Sequence, residues 1–217
     1  MSDTMNEHAK PPEQRPEHPD FWCKRFGEGI TPWDAGKVPD DFADFIARQS
    51  ATPNTLHTLI PGCGSAWEAL HLAAARWPVT ALDFSPAAVA RAREVLGQAV
   101  ADAANPNPAV DLVCADFFTY TPRRPLDLIY ERAFLCALPR KLWDDWGKRV
   151  AQLLPPGGLL AGYFFLCEQP KGPPFGILPE QLDALLGENF VRIEDVAVND
   201  SIPVFSGRER WQVWQRR

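Results

Sequence analysis

Two glycines and two aspartates follow apolar runs of strand length. Gly62 and Gly64 come directly after LHTLIP, Asp83 ends VTALD, and Asp116 ends VDLVCAD. A turn without Cβ atoms lets backbone N–H groups approach a ligand closely. In a nucleotide-binding βαβ unit, an acidic residue about 20 residues after such a turn accepts the ribose hydroxyls. These residue types at this spacing predict a nucleoside site, although the glycines are also typical of a plain strand-to-helix turn.

The residues after the glycines separate a nucleoside from a dinucleotide. A dinucleotide-binding loop has a small residue three positions after its second glycine, but here that position holds Trp67, followed by Glu68. A bulky indole and a carboxylate suit a pyrophosphate badly. The pattern therefore favours a nucleoside without phosphate, of which S-adenosylmethionine is the common one.

The third apolar run adds groups that suit an adenine base. Asp116 could accept a hydrogen bond from the exocyclic amine, and Phe117 could flank the ring. Phe84, next to Asp83, completes the candidates at this edge of the predicted sheet.

Apolar runs that alternate with helical stretches predict the sheet that carries these residues. The first three runs are followed by LDLIYE and GLLAGYFFL, and between the runs lie SAWEALHLAAARW, PAAVARAREVLGQAV and PRKLWDDWGKRVAQLL. Such alternation is typical of a parallel sheet covered on both faces. After a last helix, FVRIEDVAVN and RERWQVWQRR read as an antiparallel pair. We expect an α/β fold: a doubly wound, mostly parallel seven-stranded sheet with helices on both faces and an antiparallel edge hairpin.

Length and composition indicate one domain. A chain of 217 residues with 46% hydrophobic residues is long enough for one core. Residues 1–20 are proline-rich and charged, so we expect a flexible tail there and a single domain over 21–217. Residues 21–50 begin with FWCKRFGEGITPWDAG, which predicts an irregular, glycine-rich segment, and continue with the amphipathic helix DDFADFIARQ.

The same composition argues against several partners and sites. The net charge of -6 disfavours nucleic acid, and no apolar stretch reaches the length of a membrane span or signal peptide. Five cysteines without a CxxC pair indicate reduced thiols and no metal site. We expect a cytoplasmic monomer.

Longer motifs join these features into one pattern. The chain contains, in this order, FWCKRFGEGITPWDAG, LIPGCGSAWEALHLA, ALDFSPAAV, ADFF, IYERAFLCALP and GPPFG. Together they resemble the thiopurine S-methyltransferase family, especially its bacterial members and the plant halide and thiol methyltransferases. The resemblance covers about residues 21 to 217. It implies a class I, Rossmann-like methyltransferase fold with S-adenosylmethionine as methyl donor.

The resemblance also implies roles for individual residues. Trp22, Phe26 and Trp33 look like the family's N-terminal aromatics that close over the cofactor, which makes residues 21–50 a lid segment. Aromatic faces attract a sulfonium cation, although these side chains could instead merely pin an N-terminal arm. Gly62, Asp83, Asp116 and Phe117 match the family's binding positions. Glu131 with Arg132 falls where the loop after the fourth strand passes the methionine part of the cofactor.

The expected chemistry needs little acid or base help. A sulfonium already carries the activating charge, so a soft anion such as a thiolate needs mainly alignment and exclusion of water. We assign no catalytic residue, with Glu131 and Arg132 as candidates. Arg132 could attract an anionic acceptor, or it could form a salt bridge. The acceptor, a small-molecule thiol or other soft nucleophile, should bind between the lid and EQPKGPPFGILPEQL, with Arg132, Phe175 and Ile177 as contributors.

Two other functions stay open at this point. One is another nucleoside-cofactor enzyme, such as a NAD-dependent dehydrogenase, against which Trp67 speaks. The other is a non-catalytic S-adenosylmethionine-binding module, against which the intact order of lid, glycine turn and aspartates speaks. The sequence does not distinguish a thiopurine, a small thiol, sulfide, a halide, or a selenium or tellurium species as the acceptor.

Overall fold

One mixed sheet forms the centre of the protein. The computed structural model describes residues 10–50, 55–102 and 110–217. Within them the strand order is β3-β2-β1-β4-β5-β7-β6. The strands are β1 (Thr58–Pro61), β2 (Val79–Asp83), β3 (Val110–Cys114), β4 (Leu128–Arg132), β5 (Leu159–Phe165), β6 (Phe190–Ala197) and β7 (Glu209–Arg216). β1 to β5 are parallel, and β7 is antiparallel to both β5 and β6. The predicted fold class is confirmed.

Helices cover both faces of this sheet. They are α1 (Pro19–Gly27), α2 (Asp40–Gln49), α3 (Trp67–Ala74), α4 (Pro86–Asp102), α5 (Trp143–Leu153) and α6 (Pro179–Leu186). One core cluster packs α2, α3 and α4 against the sheet, and a second packs α5 and α6 against the other face. None of the helices in the described ranges combines the length and apolar character that a membrane span requires.

Helix α4 begins as its sequence predicts. The Ser85 hydroxyl accepts a hydrogen bond from the Ala88 N–H at 3.3 Å, and Pro86 takes the first helical position. Ser85 is therefore the cap of this helix, which leaves the Asp83 carboxylate available for another role.

The segment before the sheet differs from the prediction. We expected an irregular backbone after a flexible tail, but α1 starts at Pro19 and runs to Gly27. A proline at the first helical position and Asp20 in the first turn favour this start, and the other glycines of the segment come only after the helix ends. Residues 12–14 form a short 3-10 turn. Residues 1–9 of the predicted tail lie outside the described residues, and its mobility stays a prediction.

The strand order places a crevice beside β1. From β1 the chain continues outward to β2 and β3, and then crosses back to add β4 on the other side of β1. In open α/β sheets, ligands bind beyond the carboxyl ends of the strands where the order reverses. The turn after β1 and the loop after β4 therefore face each other across the expected site.

Gly162 allows β4 and β5 to pair closely. It lies opposite Glu131 in the ladder, and an added Cβ would overlap the carbonyl oxygen of Glu131. Gly162→Ala should lower the free energy of unfolding by about 2 to 3 kcal/mol, measured by urea denaturation. Gly97→Ala is the control, because an added Cβ on α4 meets nothing within 4 Å there. It should raise stability by about 0.5 to 1 kcal/mol. Equal effects of the two substitutions would contradict the close approach.

Candidate functional site

A cavity of about 760 Å³ lies beyond the carboxyl ends of β1, β2 and β4. The predicted site residues that line it are Trp22, Phe26, Trp33, Gly62, Gly64, Asp83, Phe84, Asp116, Phe117 and Arg132. Three predicted site residues do not line it: Glu131, Phe175 and Ile177. The structure thus brings together the lid, the glycine turn and the ends of three strands.

The turn after β1 has a backbone that suits glycine. Gly62 and Gly64 have φ values of 60° and 51°, in the left-handed region. A Cβ at Gly62 would lie only 2.6 Å from Cδ2 of Phe134, in the loop after β4. The turn therefore leaves a space beside its backbone N–H groups, and a larger residue at position 62 would fill that space.

Asp83 connects this turn to the start of α4. Its carboxylate is 6% exposed. It accepts the Gly64 N–H at 3.1 Å through Oδ2 and the Ser85 N–H at 2.9 Å through Oδ1. Each carboxylate oxygen can accept a further bond, so a pair of ribose hydroxyls fits the remaining acceptor sites. Burial raises the pKa of Asp83 to about 6, against the lowering effect of these backbone bonds.

The loop after β3 supplies an acidic and an aromatic group. Asp116 Oδ1 accepts the Phe118 N–H at 2.9 Å, which fixes the carboxylate at the rim of the cavity. Phe117 is 3% exposed and contacts Phe134 edge to face, with ring centroids 5.2 Å apart. A carboxylate that can accept from an exocyclic amine, beside aromatic rings that can flank a base, suits an adenine.

The aromatic residues of the lid form one cluster above the cavity. Trp33 lies edge to face against Trp22 and Phe26, with centroid distances of 5.4 and 6.0 Å. The Trp22 indole N–H donates to the Pro16 carbonyl at 2.7 Å. The ring tip of Phe26 faces Gly64 at the glycine turn. This arrangement provides aromatic faces for a cation and covers the site from water.

Tyr130 and Arg132, two residues apart on β4, both line the cavity. Tyr130 donates its hydroxyl to Glu68 Oε1 at 3.2 Å, and the Arg132 guanidinium lies 4.5 Å from the ring centroid of Tyr163. Burial raises the pKa of Glu68, although the charge of Arg132 lowers it. The charge of Arg132 interacts with the carboxylates of Glu68 and Glu209, but its guanidinium makes no hydrogen bond with any described residue, so its N–H donors stay available to a ligand.

Glu131 was predicted at the cofactor, and the structure corrects this. Its side chain is 2% exposed and accepts the N–H groups of Phe134 and Leu135 at 3.0 and 3.1 Å. Burial raises the pKa of Glu131 to about 7. Successive side chains of a strand point to opposite faces, so Glu131 faces away from Arg132. Its hydrogen bonds stabilise the loop after β4.

Phe175 and Ile177, predicted in the acceptor pocket, also lie elsewhere. Ile177 is 3% exposed and belongs to the core around α5 and α6, with Phe175 packed against the same cluster. The backbone explains this position, because the Phe175 N–H donates to the Cys136 carbonyl and Ile177 pairs with Leu166. These backbone bonds hold the loop after β5 against the loop after β4.

Sequence reasoning missed Asp34 and Tyr130 and did not use Glu68 as a site residue. All three line the cavity. Tyr130 stands two residues before Arg132 on the same strand, so period-two alternation could have identified it. Among the described residues, no cluster of three or more His, Cys, Asp or Glu side chains could hold a metal ion.

The raised pKa of Asp83 predicts pH-dependent binding of the nucleoside. In the predicted role of Asp83, ribose hydroxyls would donate to the ionised carboxylate, so affinity for S-adenosylhomocysteine should rise roughly tenfold from pH 5 to pH 7 as a group with a pKa of about 6 ionises. In contrast, ionisation of this carboxyl should lower the free energy of unfolding as the pH rises from about 4 to about 6, because the pKa of Asp83 in the folded protein, about 6, exceeds its usual value of 3.8.

Calorimetry across this pH range, with an Asp83→Asn variant, tests the assignment. The variant should bind about 10- to 100-fold more weakly at pH 7 and lose the pH dependence. Asp116→Asn is the control and should retain it. A pH profile in Asp83→Asn equal to that of the wild type would assign the dependence to another group.

Comparisons with known proteins agree with this geometry. The family model described as Thiopurine S-methyltransferase (TPMT) matches residues 17–217. "Probable thiol methyltransferase 2" of Arabidopsis thaliana is 30% identical over 198 residues, which cover 90% of this chain and 84% of the relative. "Thiocyanate methyltransferase 1" of Brassica oleracea is 28% identical over 200 residues, with the same coverage. "Thiopurine S-methyltransferase" of Vibrio cholerae is 40% identical over 76 residues, 34% of each chain.

Solved structures show the same fold. The magnesium protoporphyrin IX methyltransferase of Synechocystis PCC 6803, solved with bound S-adenosylmethionine, superposes with a TM-score of 0.71 at 16% identity and covers 98% of this chain and 100% of its own. The resemblance, fold class and methyl-donor class predicted from the motifs are confirmed, and the dehydrogenase and binding-module alternatives are not favoured. The chain belongs to the thiopurine S-methyltransferase family, whose members are S-adenosylmethionine-dependent methyltransferases acting on small molecules.

Proposed function

We propose that this cavity binds S-adenosylmethionine and a small soft anion, and that the methyl group passes to a sulfur atom. The observation that carries the proposal is Arg132. Its guanidinium lines the cavity with unused donors, beside a lid whose aromatic faces suit the neighbouring sulfonium. The names of the relatives share a sulfur-containing acceptor: a thiol, thiocyanate or a thiopurine.

The chain's own residues divide the work of binding. Asp83 would accept the ribose hydroxyls, and Asp116 with Phe117 would hold the adenine. Gly62 and Gly64 leave room for the nucleoside at the turn. When bound, the cofactor supplies a methyl group that is already activated by the positive charge on its sulfur.

The remaining residues would orient the acceptor and exclude water. Trp22, Phe26 and Trp33 cover the sulfonium, and Arg132 holds the acceptor as an anion in line with it. Such alignment in a water-excluded site is the main source of rate for a nucleophile that needs no proton removed. Glu131 does not line the cavity, and we assign no general base.

Compartment, partners and assembly are part of the proposal. We propose a cytoplasmic monomer that binds no nucleic acid. The net charge of -6 supports this, as do the five free cysteines.

Removing the charge of Arg132 should affect the acceptor and not the donor. Arg132→Met should lower kcat/KM for anionic acceptors about 10- to 100-fold and leave the affinity for S-adenosylhomocysteine unchanged. Arg208→Met is the matched control, because Arg208 lies 4.8 Å from the Phe165 ring centroid but does not line the cavity. Methylated product is measured directly from labelled donor. A loss confined to donor affinity, or equal losses in both variants, would remove Arg132 from this role.

The pH dependence should follow the acceptor. A free thiol has a pKa of about 8.5, so the rate should rise with pH through the pKa of each thiol, and more acidic thiols should shift the rise downward. The test is a series of thiols and thiopurines of different acidity, with product measured over pH. A profile that stays fixed as the acceptor is varied would mean that an enzyme group that lines the cavity, such as Glu68, acts as base. Activity on oxygen or nitrogen alone would end the assignment to sulfur.

A further inference from the structure

Asp34 joins the lid to the glycine turn by hydrogen bonds. Its Oδ2 accepts the Ser65 hydroxyl, and its Oδ1 accepts the Trp67 indole N–H at 2.9 Å. Oδ1 also accepts the Gly36 N–H at 2.8 Å, which shapes the loop around the aspartate itself. One carboxylate of the lid thus receives two side-chain donors from the opposite wall of the cavity.

The partners of Asp34 belong to the part of the site that faces the cofactor. Ser65 follows Gly64 directly, and Trp67 is the first residue of α3. Between them, Ala66 has a left-handed backbone with φ 60°. This conformation turns the chain sharply, so that two residues next to the glycines reach the same carboxylate.

The other side-chain hydrogen bonds and ion pairs of the lid segment lie to either side of Asp34, and Trp33 packs against the core cluster that contains Phe165 and Phe205. Near its start, Glu17 pairs with Lys141 at 2.8 Å, and Cys23 contacts the Ser85 hydroxyl at 3.2 Å. After Asp34 in the chain, Lys37 pairs with Asp200 at 3.3 Å. None of these bonds reaches the glycine turn. The side-chain hydrogen bonds that join the middle of the lid to the turn, among the residues that the structure describes, are those of Asp34.

A purely local role of Asp34 does not account for its bonds. Stabilising its own loop would need only the bond from Gly36, which uses Oδ1. Oδ2 accepts the Ser65 hydroxyl instead. The indole of Trp67 stands where a dinucleotide-binding loop needs a small residue, and its N–H reaches the lid.

We propose that Asp34 is a positioning residue that clasps the closed lid to the glycine turn, so that lid closure and nucleoside binding support each other. The inference deepens the proposed function and rests on it for the identity of the nucleoside. A ligand that fixes the turn also fixes the two donors of the clasp. Closure in turn places the lid aromatics over the ligand. By linkage, weakening the clasp must weaken binding.

Hydrogen exchange of the full chain tests the clasp without any ligand. In Asp34→Asn, backbone amides of residues 21–36 should exchange about tenfold faster or more, as expected for the loss of one charge-assisted bond. Amides of β1, β4 and β5 should keep their wild-type rates. Asp44→Asn, an exposed carboxylate of α2 in the same lid segment, is the matched control and should exchange as the wild type does.

Calorimetry with S-adenosylhomocysteine then tests the coupling. Asp34→Asn and Trp67→Phe should each lower affinity, the former by about tenfold or more. The double variant should lose less than the product of the two separate losses, because both substitutions break the same link. If Asp34→Asn accelerates exchange throughout the sheet, Trp67→Phe, which removes one donor and keeps an aromatic ring, decides the question by the same two measurements.

The outcomes separate the clasp from the proposed function. Wild-type exchange in the lid of both Asp34→Asn and Trp67→Phe would overturn the clasp, even where S-adenosylhomocysteine binds normally. Faster lid exchange together with no binding of S-adenosylhomocysteine by the wild type would support the clasp and remove the proposed cofactor. Fully multiplicative losses in the double variant would show that Asp34 and Trp67 act separately, and would overturn the coupling.

Discussion

The buried carboxylate of Asp83 is the interaction on which the site depends. It ends β2 at the edge of an apolar sheet, where a charge without partners would be strongly disfavoured. Its two oxygens accept N–H groups from Gly64 and Ser85, so the turn after β1 and the first turn of α4 are held by the same side chain. The carboxylate is tolerated because the turn keeps this shape, and the turn keeps it because glycines accept the left-handed backbone.

Hydrogen bonds also connect the turn after β1 to the lid. Once Gly64 is fixed, the backbone of Ala66 directs Ser65 and Trp67 toward Asp34. The lid, the turn and β2 then form one hydrogen-bonded series that ends at Asp83. Trp67 has a place in this series that a smaller residue could not take, since its ring spans the distance to the lid. Trp67, whose bulk disfavours a pyrophosphate at the turn, is therefore also the residue that hydrogen-bonds to the lid.

Periodicity and spacing predicted the strands and most of the helices, although not α1. The spacing of Asp83 from Gly62 predicted that the two residues belong to one site, and both line the same cavity. The orientation of neighbouring side chains on one strand was harder to predict. The motif suggested Glu131 and Arg132 together, although their side chains leave opposite faces of β4. Phe175 and Ile177 lie in a loop without a period, and its path depends on backbone bonds to Cys136 and Leu166. The contact of Asp34 with the turn follows no local pattern, so only the folded chain reveals it.

The arrangement of polar groups in the cavity supports our proposal that the site needs no base. Asp34, Asp83 and Asp116 are engaged with the turn, the lid or their own loop. Arg132 makes no hydrogen bond with a described residue, and under our proposal its cation would stabilise the thiolate of a bound acceptor and so lower the pKa of the thiol. The carboxyls of Glu68 and Glu209 lie within electrostatic reach of the guanidinium, and burial raises the pKa of both. We propose that such a site binds the acceptor as an anion and contributes to the rate by aligning that anion under the lid.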